Sequence, residues 1–219
     1  MTLPIVFDLD GTLVHSAPDI HLAVARMLEE ERLPPLDLPT ITSFIGNGLP
    51  KLVERVMGAQ GVDMSRHGEL SARVLDHYNA VNGTLTRLFP GVAEALDELH
   101  AAGHPIGLCT NKPLVPTETI LSHFGIDSLF GAVVAGDSLP VKKPEPDGLL
   151  RAFEMLGRPG IYVGDSEIDA ETAQNARMPF ALFSGGYRKA PLEQIPHDMI
   201  FEDFRVLPQV VRQIQDRAA

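Results

Sequence analysis

The sequence predicts an α/β fold, a doubly wound parallel sheet interrupted after its first strand by an all-helical insert. Three observations carry that expectation. Short, unbroken apolar runs recur at residues 3–7, 105–109, 132–135, 160–163 and 179–183, each ending in a polar or turn residue. Continuous rather than alternating apolarity suits strands buried on both faces of a parallel sheet. Stretches with apolar spacing of three and four lie between the later runs, and strands alternating with such helices are the pattern of a doubly wound domain. Residues 16–86, by contrast, carry helical patterns only.

In chain order, the first run ends at Asp8, and the segment from Thr12 to Ser16 leads into the insert. Residues 18–32 set Ile20, Val24, Met27 and Leu28 on one side and Glu29, Glu30 and Glu31 on the other, and residues 51–57 and 65–81 continue in the same manner. A βαβ crossover needs only about thirty residues, so 16–86 is too long for one and reads as a separate helical unit. Leu88-Phe89-Pro90-Gly91 is its expected exit. Helices follow over 91–102, 117–124, 146–156 and 167–176, three of them with a glycine at the stop position. The tail from Arg188 is expected to add a final strand and helix. The domains expected are therefore a core of residues 1–15 plus 87–219 and a helical cap of residues 16–86.

Composition narrows the function. With 219 residues, 44% hydrophobic and 21% charged, the chain is long enough and apolar enough to bury a core. Eighteen basic against 29 acidic residues give a formal charge of −11, which disfavours nucleic acid and anionic membrane surfaces as partners. The one cysteine, Cys109, leaves neither an intrachain disulfide nor a thiolate metal cage, and its apolar neighbours make it a core thiol. Without a signal-peptide pattern or a run of about eighteen apolar residues, the compartment expected is the cytoplasm.

Ligands of doubly wound sheets sit beyond the carboxyl ends of the strands, and that is where this chain keeps its chemistry. The first strand delivers Asp8-Leu9-Asp10-Gly11-Thr12-Leu13. A period of two sets Asp8 and Asp10 on one side, and two carboxylates so close call for a compensating cation. The second run ends in Thr110-Asn111-Lys112-Pro113, a hydroxyl donor at the sheet edge. Lys142-Lys143-Pro144 comes next, and the fourth run ends in Gly164-Asp165-Ser166-Glu167-Ile168-Asp169. Taken singly, each has a bland reading: a solvated Asp-Gly turn, a Thr or Ser helix cap, a rim lysine.

In combination and in this order, the four motifs resemble the signature of the haloacid dehalogenase superfamily, over nearly the whole chain and including the helical insert. The resemblance implies a Rossmann-like core, with Asp8 as a nucleophile that takes a phosphoryl group to form an aspartyl-phosphate. It implies Asp10 as the acid and base for leaving group and water. It further implies Mg²⁺ held by the Asp8 carboxylate, the Asp10 carbonyl and Asp165, with Asp169 supporting from behind. Phosphoryl oxygens would be held by Thr110, Asn111 and Lys143, Lys143 being preferred over Lys142 because it directly precedes Pro144. An acid at position 10 disfavours the halide-releasing members of the superfamily.

The substrate implied is a small phosphorylated metabolite. Val14-His15-Ser16-Ala17-Pro18-Asp19-Ile20 and Phe44-Ile45-Gly46-Asn47-Gly48-Leu49 resemble segments of the phosphoglycolate phosphatase branch, which makes 2-phosphoglycolate the expected ester. His15 departs from the Asp common in that branch. Asn47 and Lys51 are expected to read the substrate tail, with Arg55 and Lys112 as further candidates. A sugar phosphomutase, a phosphatase for another ester or pyrophosphate, and an imine-forming phosphonate hydrolase using Lys51 are the alternatives.

Overall fold

The computed structural model describes residues 2–218. Its centre is a six-stranded, all-parallel sheet built on β1 (Ile5–Phe7). A short β2 (Val14–His15) then leads away into helices α1 (Ala17–Glu30), α2 (Leu38–Phe44), α3 (Leu49–Gln60) and α4 (His67–Val81). The chain returns through β3 (Arg87–Leu88), antiparallel to β2 with Val14 opposite Leu88, so entrance and exit of the helical segment run side by side. Alternation follows through α5 (Val92–Ala101), β4 (Ile106–Cys109), α6 (Leu114–His123), β5 (Phe130–Val134), α7 (Asp147–Met155), β6 (Ile161–Gly164), α8 (Glu167–Ala176) and β7 (Phe180–Phe183). The tail adds β8 (Met199–Phe201) and α9 (Leu207–Ala218).

The strand order β5-β4-β1-β6-β7-β8 puts β1 in the middle, with Phe7 in register with Leu108 on one side and Val163 on the other. Side chains along β1 alternate between faces, as a pleated strand requires. Ile5 and Phe7 pack with α5, α6 and α9, while Val6 packs with α7 and α8 beside Tyr162. Every residue of β1, β4, β6 and β7 is buried, and exposure appears only on the edge strands β5 and β8. Continuous apolar runs and two covered faces are thus the same fact.

Helices α1 to α4 have their own apolar cluster, including Val24, Met27, Ile41, Val53, Met57, Leu70 and Tyr78. Helix α2 lies between the helical patterns read from the sequence. It is seven residues long, capped by Asp37 accepting from Thr40 N at 2.9 Å, and buries only Ile41. So short a helix with one core contact leaves little periodic signal.

The return from α4 is tied to α1 by Asp19, which is wholly buried. Its carboxylate accepts from Gly83 N (2.9 Å), Leu85 N (2.8 Å), Thr86 N (3.1 Å) and Thr86 Oγ1 (2.7 Å). Charge-assisted bonds of this kind are about twice as strong as neutral ones. They tie the first helix of the segment to its return strand.

Candidate active site

All the strand-end residues meet on one side of the sheet. Asp8 follows β1 and its backbone N–H donates to Val163 O at 2.9 Å, so the last ladder contact aims the carboxylate past the edge. Gly11 then turns with φ +89°, and a Cβ there would stand 2.5 Å from Asp165 Oδ2. Only glycine permits both the left-handed backbone and that approach. Gly186, after β7, is pressed against the same carboxylate, with a Cβ position 2.2 Å from Asp165 Oδ2.

Lys143 is the hub. Its ammonium lies 2.8 Å from Asp8 Oδ1 and 2.7 Å from Asp169 Oδ1, and donates to Tyr162 Oη at 3.0 Å. Tyr162 Oη in turn donates to Asp169 Oδ1 at 2.8 Å. The other oxygen of Asp169 accepts from Ser166 Oγ at 2.6 Å and from the backbone N–H groups of Asp165 and Ser166, each at 3.2 Å. Asp169 is therefore the N3 member of the capping box that opens α8. Both of its oxygens are occupied. Asp165 accepts from Thr12 Oγ1 at 2.7 Å and Tyr187 N at 2.5 Å.

Asp8 Oδ1 is different. The Lys143 contact is close but off the hydrogen-bonding direction, and that oxygen is buried without a hydrogen-bond partner among the described residues. Carboxylate oxygens of Asp8, Asp165 and Asp169 lie within 4.8 Å of one another. Burial, which Lys143 only partly offsets, pushes the Asp8 carboxyl up to about 6, helped by repulsion from Asp169 and Asp10. Burial and the neighbouring carboxylates push Asp165 well above the usual range. Asp169 goes the other way, because Lys143 and donors from Lys143, Ser166 and Tyr162 outweigh its burial. Lys143 is held charged by Asp169 and Asp8 against the desolvation that would lower it. An orphaned oxygen and two carboxylates raised together are the signs of a centre lacking positive charge. Hard oxygen donors of this kind fit a small divalent cation.

A cavity of about 60 Å³, open to solvent at its mouth, lies over this centre. Asp8, Asp10, Thr110, Asn111 and Lys112 form its floor. The helical segment supplies its roof through Ile20, Ile45, Leu49, Leu52 and Tyr78, with the Gly46–Gly48 turn at one side. Asn111 spends its side chain joining the two. Its amide donates to Gly46 O (3.0 Å) and Lys143 O (3.1 Å), and its oxygen accepts from Lys143 N (3.0 Å). Only its backbone remains for a ligand.

The structure does not bring Asn47 or Lys51 into that cavity. Asn47 Oδ1 accepts from Arg55 Nη2 at 2.7 Å, and Arg55 also binds Phe44 O. Lys51 is half exposed and paired with Glu54 at 2.6 Å on the outer side of α3. Gly48 sits between them with φ +82°, so the chain enters α3 with Lys51 turned away. The imine reading loses its lysine for the same reason.

Sequence reasoning also missed residues. Tyr78 reaches the floor from α4, Tyr162 bridges Lys143 and Asp169, and Tyr187 holds Asp165 while its hydroxyl receives Ala17 N (3.0 Å) and meets His15 Nδ1 (3.0 Å). Tyr78 and Tyr162 stand on apolar faces and read as core, while Tyr187 follows a glycine turn in a loop and carries no motif of its own.

Residues 5–183 match the model of the haloacid dehalogenase-like hydrolase family. The chain belongs to this family. It is 50% identical, over 96% of its length and 98% of the relative's, to a phosphoglycolate phosphatase of Cereibacter sphaeroides. A phosphoglycolate phosphatase of Rhodobacter capsulatus is 42% identical over 96% of this chain and 97% of its own. The crystal structure of a predicted phosphoglycolate phosphatase from Haemophilus somnus superposes with a TM-score of 0.90 at 31% identity, covering 95% of this chain and 97% of the other. The chain is thus a hydrolase of that family, and its relatives are named as phosphatases. Among the described residues, no helix is long and apolar enough to cross a membrane.

Proposed function

We propose that the protein is a Mg²⁺-dependent phosphomonoesterase acting on 2-phosphoglycolate, with residues 16–86 as a cap over a core formed by residues 1–15 and 87–219. The observation that carries this reading is the buried Asp8 carboxylate, short of a hydrogen-bond partner and flanked by Lys143 and Asp165. The relatives named above supply the substrate.

In this reading Asp8 attacks the phosphoryl group and a P–O bond to the carboxylate replaces the bond to the leaving glycolate. Asp10, two residues on at the cavity floor, protonates the departing oxygen and then takes a proton from the water that hydrolyses the aspartyl-phosphate. Thr110 and the backbone N–H of Asn111 donate to phosphoryl oxygens, and Lys143 neutralises them while remaining anchored on Asp169. Mg²⁺ would be held by the Asp8 carboxylate, the Asp10 carbonyl and Asp165, where it supplies the positive charge that phosphoryl transfer requires. Asp169, its oxygens already occupied, holds Lys143 and the α8 turn in place rather than binding metal.

The test is phosphate release from 2-phosphoglycolate with Mg²⁺ and with EDTA, for the wild type and Asp8→Asn. Turnover that needs Mg²⁺ and vanishes in a folded Asp8→Asn protein is the expected result. Turnover indifferent to EDTA would remove the metal, and an active Asp8→Asn would remove the covalent step.

A further inference from the structure

The cavity wall holds one cationic residue, Lys112, and its contacts differ in kind from those of Lys143. The side chain is only 3% exposed, yet the residue lines the cavity. It lies 2.9 Å from Asp10 Oδ1, donates to Tyr78 Oη, and stands 4.5 Å from the centre of the Tyr78 ring. The third N–H bond of the ammonium has no acceptor among the described residues. Around it the wall is Ile20, Ile45, Leu49, Leu52 and Pro113, which offer nothing to a second anionic group on a ligand.

We propose that Lys112 is the specificity-determining residue of this site, recognising a carboxylate on the non-reacting end of the phosphate ester. This rests on the phosphomonoesterase reading above. An ester whose phosphoryl group lies at Asp8 and whose tail extends toward α4 places the tail against Lys112 and Tyr78. A carboxylate there takes over the ammonium now held by Asp10, and the apolar roof keeps water from competing for it. An ester with an uncharged tail leaves Lys112 on Asp10 Oδ1, the oxygen that has to face the leaving group. Recognition of the acid and exposure of Asp10 are thereby one event.

The experiment compares kcat/KM for two esters that share a two-carbon skeleton, 2-phosphoglycolate and ethyl phosphate, in Mg²⁺-loaded wild type, Lys112→Met and Lys112→Gln. The wild type prefers the acid. Loss of a charge-assisted bond lowers Lys112→Met turnover of 2-phosphoglycolate by about 10–100-fold, while turnover of ethyl phosphate falls much less, so the preference for the acid collapses. Lys112→Gln keeps a neutral donor to Tyr78 and shows the same collapse of preference, so it carries the test if the Met variant does not fold. Equal loss on both esters makes Lys112 structural and overturns the proposal, as does an unchanged ratio. Wild type that ignores 2-phosphoglycolate but prefers another acid over its uncharged analogue, phospholactate over isopropyl phosphate, unseats the two-carbon substrate and leaves the Lys112 ratio to be read on that pair. Wild type that favours the acid in neither pair overturns both readings.

Discussion

Lys143 and Lys112 are both buried, both charged and both beside a carboxylate of the first motif, yet they are built for different work. Lys143 arrives between β5 and α7 into a closed set of neighbours, Asp8, Asp169 and Tyr162, with Asp169 itself immobilised by the α8 cap. Lys112 stands in a wall shared by the sheet and the helical segment, held by Asp10 from below and Tyr78 from above. Asp8 stands at the end of β1 and Asp169 in the first turn of α8, both in the sheet layer, so a movement of α1–α4 does not separate them. The pair around Lys112 spans two layers, so it can be exchanged when a ligand enters. A rigid positive charge suits the group common to every phosphate ester, and an exchangeable one suits the part that varies.

The most severe way to break this contrast is Lys143→Met. It leaves Asp8 and Asp169 buried without their cation, and removing one partner of a buried pair costs about 3–5 kcal/mol. Chemical denaturation should register that loss, and phosphate release should fall to background at any substrate concentration. Lys112→Met, whose one carboxylate partner Asp10 is 14% exposed whereas Lys143 also holds the wholly buried Asp169, should lose less stability. Equal destabilisation by the two variants would erase the distinction between a closed cluster and an exchangeable pair.

A smaller effect follows from the shortage of positive charge itself. The Asp8 carboxyl titrates at about 6 in the folded chain against an ordinary value of 3.8, and Asp165 is raised as well. Between these values the folded state binds more protons than the unfolded state, so stability falls as pH rises. Metal-stripped protein should therefore lose stability between pH 4 and pH 6, by up to about 3 kcal/mol from Asp8 alone. Asp169, lowered by Lys143, contributes its loss only below pH 4. Melting at a series of pH values, with and without millimolar Mg²⁺, reads this directly. The slope should flatten when Mg²⁺ is added. A metal-free protein equally stable at pH 4 and pH 7 would mean that Asp8 and Asp165 need no cation.

The same contrast explains what could be read in advance. The cradle around Lys143 is assembled from strand ends, and each contributor stands in a short local motif next to an apolar run: Asp8 after 3–7, Thr110 after 105–109, Asp165 after 160–163. Parallel strands in one sheet must bring such ends to one edge, so spacing along the chain translates into proximity. The roof has no such rule. Tyr78 is one of several residues on the apolar face of α4, and its place above Lys112 depends on how α1 and α4 sit over the sheet. Part of that arrangement is the tie from Asp19 to Gly83–Thr86, more than sixty residues away, which joins α1 to the return from α4. In the sequence Asp19 reads as part of the segment from Val14 to Ile20, with nothing to say that its partners lie at Gly83–Thr86. Lys51 was misleading for the opposite reason. A glycine turn followed by a lysine looks like a substrate loop, but its direction is decided by the backbone at Gly48, which residue types alone do not specify.

Lys51 therefore offers the smallest effect and a clean control on the division between roof and outer surface. Its ammonium pairs with Glu54 on the solvent side of α3, with the two side chains 47% and 41% exposed. An exposed i,i+3 pair gains little Coulomb energy in water and loses side-chain freedom, so it adds little to stability. Lys51→Ala should shift the denaturation midpoint barely at all. It should also leave kcat and KM for 2-phosphoglycolate within twofold of wild type, at low and at high salt. Increased KM in Lys51→Ala at unchanged kcat would place this lysine on the substrate's path into the cavity. The helical segment would then have to move far enough to turn the outer side of α3 toward Asp8, and the roof would be a mobile reader of the substrate rather than a fixed wall.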